Sequence, residues 1–200
     1  RRNMWFQTSA NAATRQFQLA RLYAELARPD AIDALLGTPL LSSPDARRLA
    51  QRALGSYLAG TVVLPYEAFL AEAEALRYDI AALQQRFGAS FEQVAHRLVT
   101  LRRKGAEGIA FGFLRSDPAG RLTKHFPLPG LLLPSAGHAC PLWAIYTAFR
   151  AGDGVVRQVV RFPDGSRYLF IARATARRAA RFGDNPTPTS VMLACNVLQA

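Results

Sequence analysis

LPYEAFLAEAEALRYDIAALQQRFGASFEQVAHRLVTL, residues Leu64–Leu101, reads as two or three short helices in succession. Apolar residues recur at Phe69, Leu70, Ala73 and Leu76, then at Ile80, Leu83 and Phe87, then at Phe91, Val94, Leu98 and Leu101. Steps of three and four place one apolar stripe along each helix. Gly88 can supply the positive φ that ends the middle helix, and Ser90 can cap the next. Stripes this narrow cannot bury themselves, so the segment packs on other elements. Two readings stand open. Asp79–Leu98 has the outline of a helix-turn-helix, with Gln93, His96 and Arg97 toward base edges and Arg102, Arg103 and Lys104 on phosphate. Equally, two helices joined by a glycine turn are ordinary α-helical packing.

Outward from this segment, Thr14–Ala27 is an amphipathic helix, and Pro29–Leu36 a short one. Gly37–Asp45 reads as a linker and Ala46–Leu58 as helix. Gly60–Leu64, rich in β-branched residues, is either extended or a helix end. After Lys104 the pattern changes. Gly108–Arg115 and Arg121–Phe126 flank DPAG, and Val155–Phe162 and Ser166–Arg173 flank PDG, which predicts two β-hairpins. Between them lie a loop punctuated by proline and glycine, Leu128–His138, and a predicted helix, Pro141–Phe149. Ser190–Leu198 reads as a last strand. The predicted fold is α+β: a helical part, 1–104, packed on an antiparallel sheet, 105–200. By fold analogy alone, that sheet is of the PAS/GAF sensor type.

The 200 residues are half apolar and carry a formal net charge of +11. That charge favours a polyanionic partner, nucleic acid or a phosphate-bearing small molecule. One basic group is Arg102, Arg103, Lys104, Arg115, Arg121 and Lys124. The other is Arg150, Arg157, Arg161, Arg167, Arg173, Arg177, Arg178 and Arg181. No apolar run has the length of a membrane span, and no secretory signal is read. Two cysteines make no disulfide framework, which fits a reducing, cytoplasmic setting. His96, His125 and His138 are scattered, and there is no phosphate-loop or dinucleotide glycine fingerprint. With no convergent set of groups, no catalysis is expected.

Several ordered motifs carry a family resemblance: Tyr66, Phe69, AEALRYD (Ala73–Asp79), RFGASFEQVAHRL (Arg86–Leu98), ACPLW (Ala139–Trp143), PDGSRY (Pro163–Tyr168) and IAR (Ile171–Arg173). The chain resembles the short-chain fatty acyl-responsive transcriptional regulators, and its helical part is similar to that of the ImmA/IrrE metallopeptidases. A zinc-binding HExxH helix would then lie at RLYAE. Arg21 and Glu25 replace the histidines and Leu22 replaces the glutamate. Arginine cannot ligate zinc and leucine cannot take a proton, so a zinc peptidase is not expected.

The resemblance instead implies an effector-binding region that controls DNA affinity by population shift, with a separate N-terminal helix-turn-helix domain as the DNA partner. It implies a coenzyme A thioester as effector, such as propionyl-CoA. Phosphates suit arginine and lysine, adenine suits aromatic rings, and an acyl tail needs a small apolar pocket. The candidate residues are Tyr66, Phe69 and Tyr78 in the helical part, and Arg115, Lys124, His125, Trp143, Arg167 and Tyr168 in the sheet part, with the pocket expected between the two. Relatives of this type also imply an iron–sulfur cluster, toward which this chain offers Cys140 and Cys195, half the usual ligand number. Homo-oligomerisation is left open.

Overall fold

In the computed structural model, residues 3–8, 10–27, 29–176 and 187–199 are described. Arg177, Arg178 and Arg181 of the second basic group lie outside them. The chain forms two units, Arg1–Val94 and Ala95–Ala200, each with its own core.

The first unit is helical: α1 (Ala12–Ala27), α2 (Pro29–Leu36), α3 (Pro44–Val63), α4 (Tyr66–Ala75), α5 (Ile80–Phe87) and the start of α6 (Phe91–Val99). Helix α3 begins earlier and ends later than the linker and helix read from sequence. Ser43 caps it, its hydroxyl accepting from the Ala46 amide at 3.1 Å. Pro44 then occupies a first-turn position that needs no amide donor. At the other end Gly60–Val63 continues the helix, so that segment is not extended; the buried Ala59 and Val63 hold it in register. Small residues set how closely α3 approaches α1. A side chain on Gly55 would meet Glu25 Oε1 at 3.0 Å, and Ala20 and Ala24 of α1 are buried.

Between α4 and α5 the backbone turns through Arg77 and Tyr78, both left-handed at φ 50 and 58. The Tyr78 amide closes back on the Ala73 carbonyl at 2.7 Å. The Asp79 carboxylate then caps α5, accepting from the Ala81 and Ala82 amides. Gly88 is left-handed at φ 60, as its position predicts. Ser90 and Gln93 form a reciprocal capping box at the start of α6: the Gln93 amide donates to Ser90 Oγ and the Ser90 amide donates to Gln93 Oε1. Phe69, Ala73, Leu83, Phe91 and Val94 fill the centre of the unit.

The second unit is a five-stranded antiparallel sheet of β1 (Gly112–Ser116), β2 (Leu122–Phe126), β3 (Val156–Arg161), β4 (Arg167–Ala176) and β5 (Pro188–Asn196). Strand order is β2-β1-β5-β4-β3, so the last strand fills the middle with a hairpin on each side. Both predicted hairpins form. The second closes through a turn in which the Gly165 amide bonds the Phe162 carbonyl, and Gly165 stands at φ 84. That is a type I turn followed by a left-handed glycine, the three-residue hairpin loop.

One face of the sheet carries Leu114, Tyr168, Phe170, Ala172, Met192 and Ala194. The loop 127–143 and the short helix α7 (Ala144–Thr147) cover it. The helix expected over Pro141–Phe149 is thus a single turn extended by a 3₁₀ turn, Ala148–Arg150. Its start is fixed from outside: Gln158 Oε1 of β3 accepts from the Ala144 amide at 2.7 Å, while Gln158 Nε2 donates to the Leu142 carbonyl. Among the described residues no single helix is long and apolar enough to cross a membrane.

Candidate functional site

Alternation along the strands decides which candidate side chains meet. In the sheet unit, Arg115 and Lys124 are direct cross-strand partners on β1 and β2. Arg115 Nε donates to Thr123 Oγ1 at 2.9 Å, and Lys124 Nζ stands 5.5 Å from the Phe126 ring centre. Phe126 and Phe113 meet edge to face at 5.8 Å, and His96 of α6 lies against both, at 4.5 Å from Phe113 and 5.4 Å from Phe126. The pair of cations therefore borders a half-buried aromatic group. His125 is opposite Leu114, and alternation turns it to the other face, where it is half-buried.

Trp143 and Tyr168 are brought together as packing residues. Trp143 contacts Phe170 and Phe162 edge to face, and Phe162 contacts Tyr168 the same way. Tyr168 is 4% exposed, and its hydroxyl donates to the Gly130 carbonyl at 2.8 Å. Both rings hold the covering loop to the sheet, and neither presents an open face for a stacked base. Arg167, in contrast, is exposed and stands directly opposite Arg161. In the helical unit, Phe69 is completely buried and packs on Phe87 at 5.3 Å. Tyr66 and Tyr78 are half-buried at the start of α4 and in the strained turn.

The loop has an anchor that sequence reading did not single out. The Tyr146 hydroxyl accepts from the Ala139 amide at 2.9 Å and donates to the Gly120 carbonyl at 2.8 Å, tying the covering loop to the first hairpin. Gln158 does the same from β3. Neither carries a local signal, because both act across more than six residues of chain.

The helix-turn-helix reading fails on the side chains it needs. Gln93 is spent on the capping box and on the Ala13 carbonyl, to which Nε2 donates at 3.3 Å. His96 is held between Phe113 and Phe126, and Arg97 is 4% exposed. Arg102 donates to the Val99 and Pro127 carbonyls. A helix whose reading residues are tied down in this way does not present them to a groove.

At the place expected for an HExxH helix, Arg21 Nε and Glu25 Oε1 form an ion pair at 2.9 Å, packed against Gly55 of α3. The pair fills the position where two histidines would face a zinc ion. Of the two cysteines expected near a cluster, Cys140 is exposed and Cys195 is buried. Cys195 points from β5 away from the face that carries Ala194, whereas Cys140 follows Ala139, which is buried on that face. Burial pushes the Cys195 thiol up to about 11, so it is held protonated at neutral pH. Among the described residues, no three His, Cys, Asp or Glu side chains converge on one point.

Comparison with known proteins divides the chain in a similar way. Residues 100–200 match the family model described as "Short-chain fatty acyl coenzyme A regulator, C-terminal", and residues 2–99 match the "IrrE N-terminal-like domain". The chain is 39% identical over 191 residues to a propionyl-CoA carboxylase regulator of Cereibacter sphaeroides, covering 96% of this chain and 41% of that protein. It is 38% identical over 186 residues to the HTH-type transcriptional regulator PrpR of Mycobacterium tuberculosis, covering 93% and 38%. It is also 37% identical to RamB of the same organism, covering 92% and 39%. The chain thus spans about two fifths of the length of these relatives. A solved structure of a Mycobacterium tuberculosis transcriptional regulator superposes with a TM-score of 0.88 at 37% identity, over 96% of this chain and 58% of that one.

Proposed function

Because this chain belongs to the short-chain fatty acyl coenzyme A regulators, we propose that its sheet unit recognises a short-chain acyl-CoA such as propionyl-CoA and signals its presence to a DNA-binding part. One observation carries the reading: the regulator family model matches residues 100–200, a stretch that folds as a unit with its own core. The relatives support the wider role, since they are transcriptional regulators and one is a propionyl-CoA carboxylase regulator. A peptidase role is disfavoured by chemistry. Neither member of the Arg21–Glu25 pair is a histidine, and Leu22 has no proton to exchange.

The residues suggest a division of labour. Arg115 and Lys124, side by side on β1 and β2, offer charge-assisted hydrogen bonds to the phosphates of the nucleotide end. Trp143 and Tyr168 act as positioning residues that fix the covering loop over an antiparallel sheet of PAS/GAF sensor type. DNA contact is assigned to a helix-turn-helix part, which the HTH-type relatives PrpR and RamB support. Signalling is then a population shift, in which the effector favours one of two arrangements by as much as its affinities for them differ.

Thermal unfolding tests this. Propionyl-CoA at about 100 times its dissociation constant stabilises the bound state by roughly 2.7 kcal/mol. That raises Tm by several degrees for a chain of this size. Free propionate at the same concentration should leave Tm unchanged. No rise with saturating propionyl-CoA would contradict the proposal.

A further inference from the structure

The positive charge of the chain is not shared between its units. Residues 95–200 carry 15 Lys and Arg against 5 Asp and Glu, a formal +10, whereas residues 1–94 carry 10 against 9, a formal +1. The ion pairs Arg21–Glu25, Arg48–Asp45 and Arg86–Glu72 lie in the first unit. The surplus has a specific location on the second hairpin. On the sheet face opposite Tyr168 and Phe170, β3 presents Arg157, Val159 and Arg161, and β4 presents Arg167, Leu169, Ile171 and Arg173. Arg157, Arg161 and Arg167 are exposed, and Val159 is 60% exposed. Neither strand has a carboxylate on this face. The nearby Asp164, at the turn, is committed to the Ser166 amide and hydroxyl.

Arg161 and Arg167 are direct cross-strand partners. Their Cα atoms are then about 5 Å apart, and like charges placed opposite one another destabilise a hairpin. Arg157 stands four residues back along β3 on the same face, about 13 Å away at strand rise. Three exposed guanidinium groups on two strands that carry no carboxylate match a row of phosphates, which each can grip with two parallel hydrogen bonds. A second copy meeting this face about a two-fold axis would set the arginines against themselves.

We propose that this face of the β3–β4 hairpin, through Arg157, Arg161 and Arg167, is a sequence-independent contact for the phosphate backbone of duplex DNA. It would act beside the DNA-binding part of the regulator and add affinity without adding base recognition. The inference rests on the chain being part of a DNA-binding regulator, but not on the identity of the effector.

Fluorescence anisotropy of this chain with a labelled duplex of arbitrary sequence, at 50 to 200 mM KCl, tests it. Three phosphate contacts give a slope of log K against log salt of roughly −2.7, which is about a 40-fold loss of affinity across that range. In R157Q/R161Q/R167Q the slope should flatten by nearly that amount. R47Q/R48Q/R52Q, which removes the same charge from exposed positions on α3, should keep both slope and affinity. Propionyl-CoA binding to R157Q/R161Q, which leaves Arg167 in place, should be unchanged when measured in parallel, so loss of duplex binding is separable from failure of the effector reading. The proposal is overturned if the parent chain shows no duplex binding at 50 mM KCl. It is equally overturned if the two triple variants behave alike, or if poly-glutamate competes as well as duplex, which would mark an acidic-protein surface.

Discussion

Arg77 and Tyr78 stand consecutively in left-handed backbone, a conformation that a side chain makes costly by about 1–2 kcal/mol per residue. The turn persists because it is held from both sides, by the Tyr78 amide on the Ala73 carbonyl and by the Asp79 cap on α5. Arg77 is exposed, so its side chain contributes little to offset that cost. Arg77→Gly is expected to stabilise the chain by roughly 0.5–1 kcal/mol, the relief exceeding the entropy cost of glycine, and a urea midpoint measures it. Cys195 tests the other extreme of exposure. With the thiol pushed up to about 11 by burial, its contribution to stability is fully present below its ordinary value of 9.0 and is lost as pH rises through about 11. At pH 8 iodoacetamide should modify only the exposed Cys140 in the native chain and both cysteines after denaturation. Mass spectrometry counts the adducts, and two on the native chain would show that the β5 thiol is not sealed.

At the scale of elements, legibility followed the distance over which each determinant acts. Ser90 with Gln93, Gly88, and the DPAG and PDG turns are decided within a few residues, and each formed as read. The single turn of α7 depends on Gln158, fourteen residues away, which bonds the Ala144 amide from a different strand. The helical content of 141–149 therefore exceeded what the tertiary structure uses. The place of β5 in the middle of the sheet is set by pairing with β1 and β4, which no window of sequence contains. Among the candidate residues, the adjacency of Arg115 and Lys124 follows from a hairpin register, whereas the burial of Trp143 and Tyr168 is a property of the covering loop. One glycine shows how tightly that loop sits. A Cβ on Gly112 would lie 2.9 Å from Leu128 Cβ and 3.0 Å from Leu133 Cδ1. Gly112→Ala is expected to cost about 1–3 kcal/mol by overpacking, read from the same urea midpoint.

For the whole molecule, an IrrE-like helical unit that pairs Arg21 with Glu25 is joined to a sheet unit that matches acyl-CoA regulators. The proposed recognition of a charged thioester is a binding task, toward which Arg115 and Lys124 offer adjacent cations. The most direct test is isothermal titration of this 200-residue chain with propionyl-CoA and, separately, with free coenzyme A. Saturable binding of propionyl-CoA, weaker binding of free coenzyme A that has only the nucleotide end to offer, and weakening of both in R115Q/K124Q are the predicted results. No heat from propionyl-CoA at high micromolar concentration, with the chain folded by circular dichroism, would contradict the account.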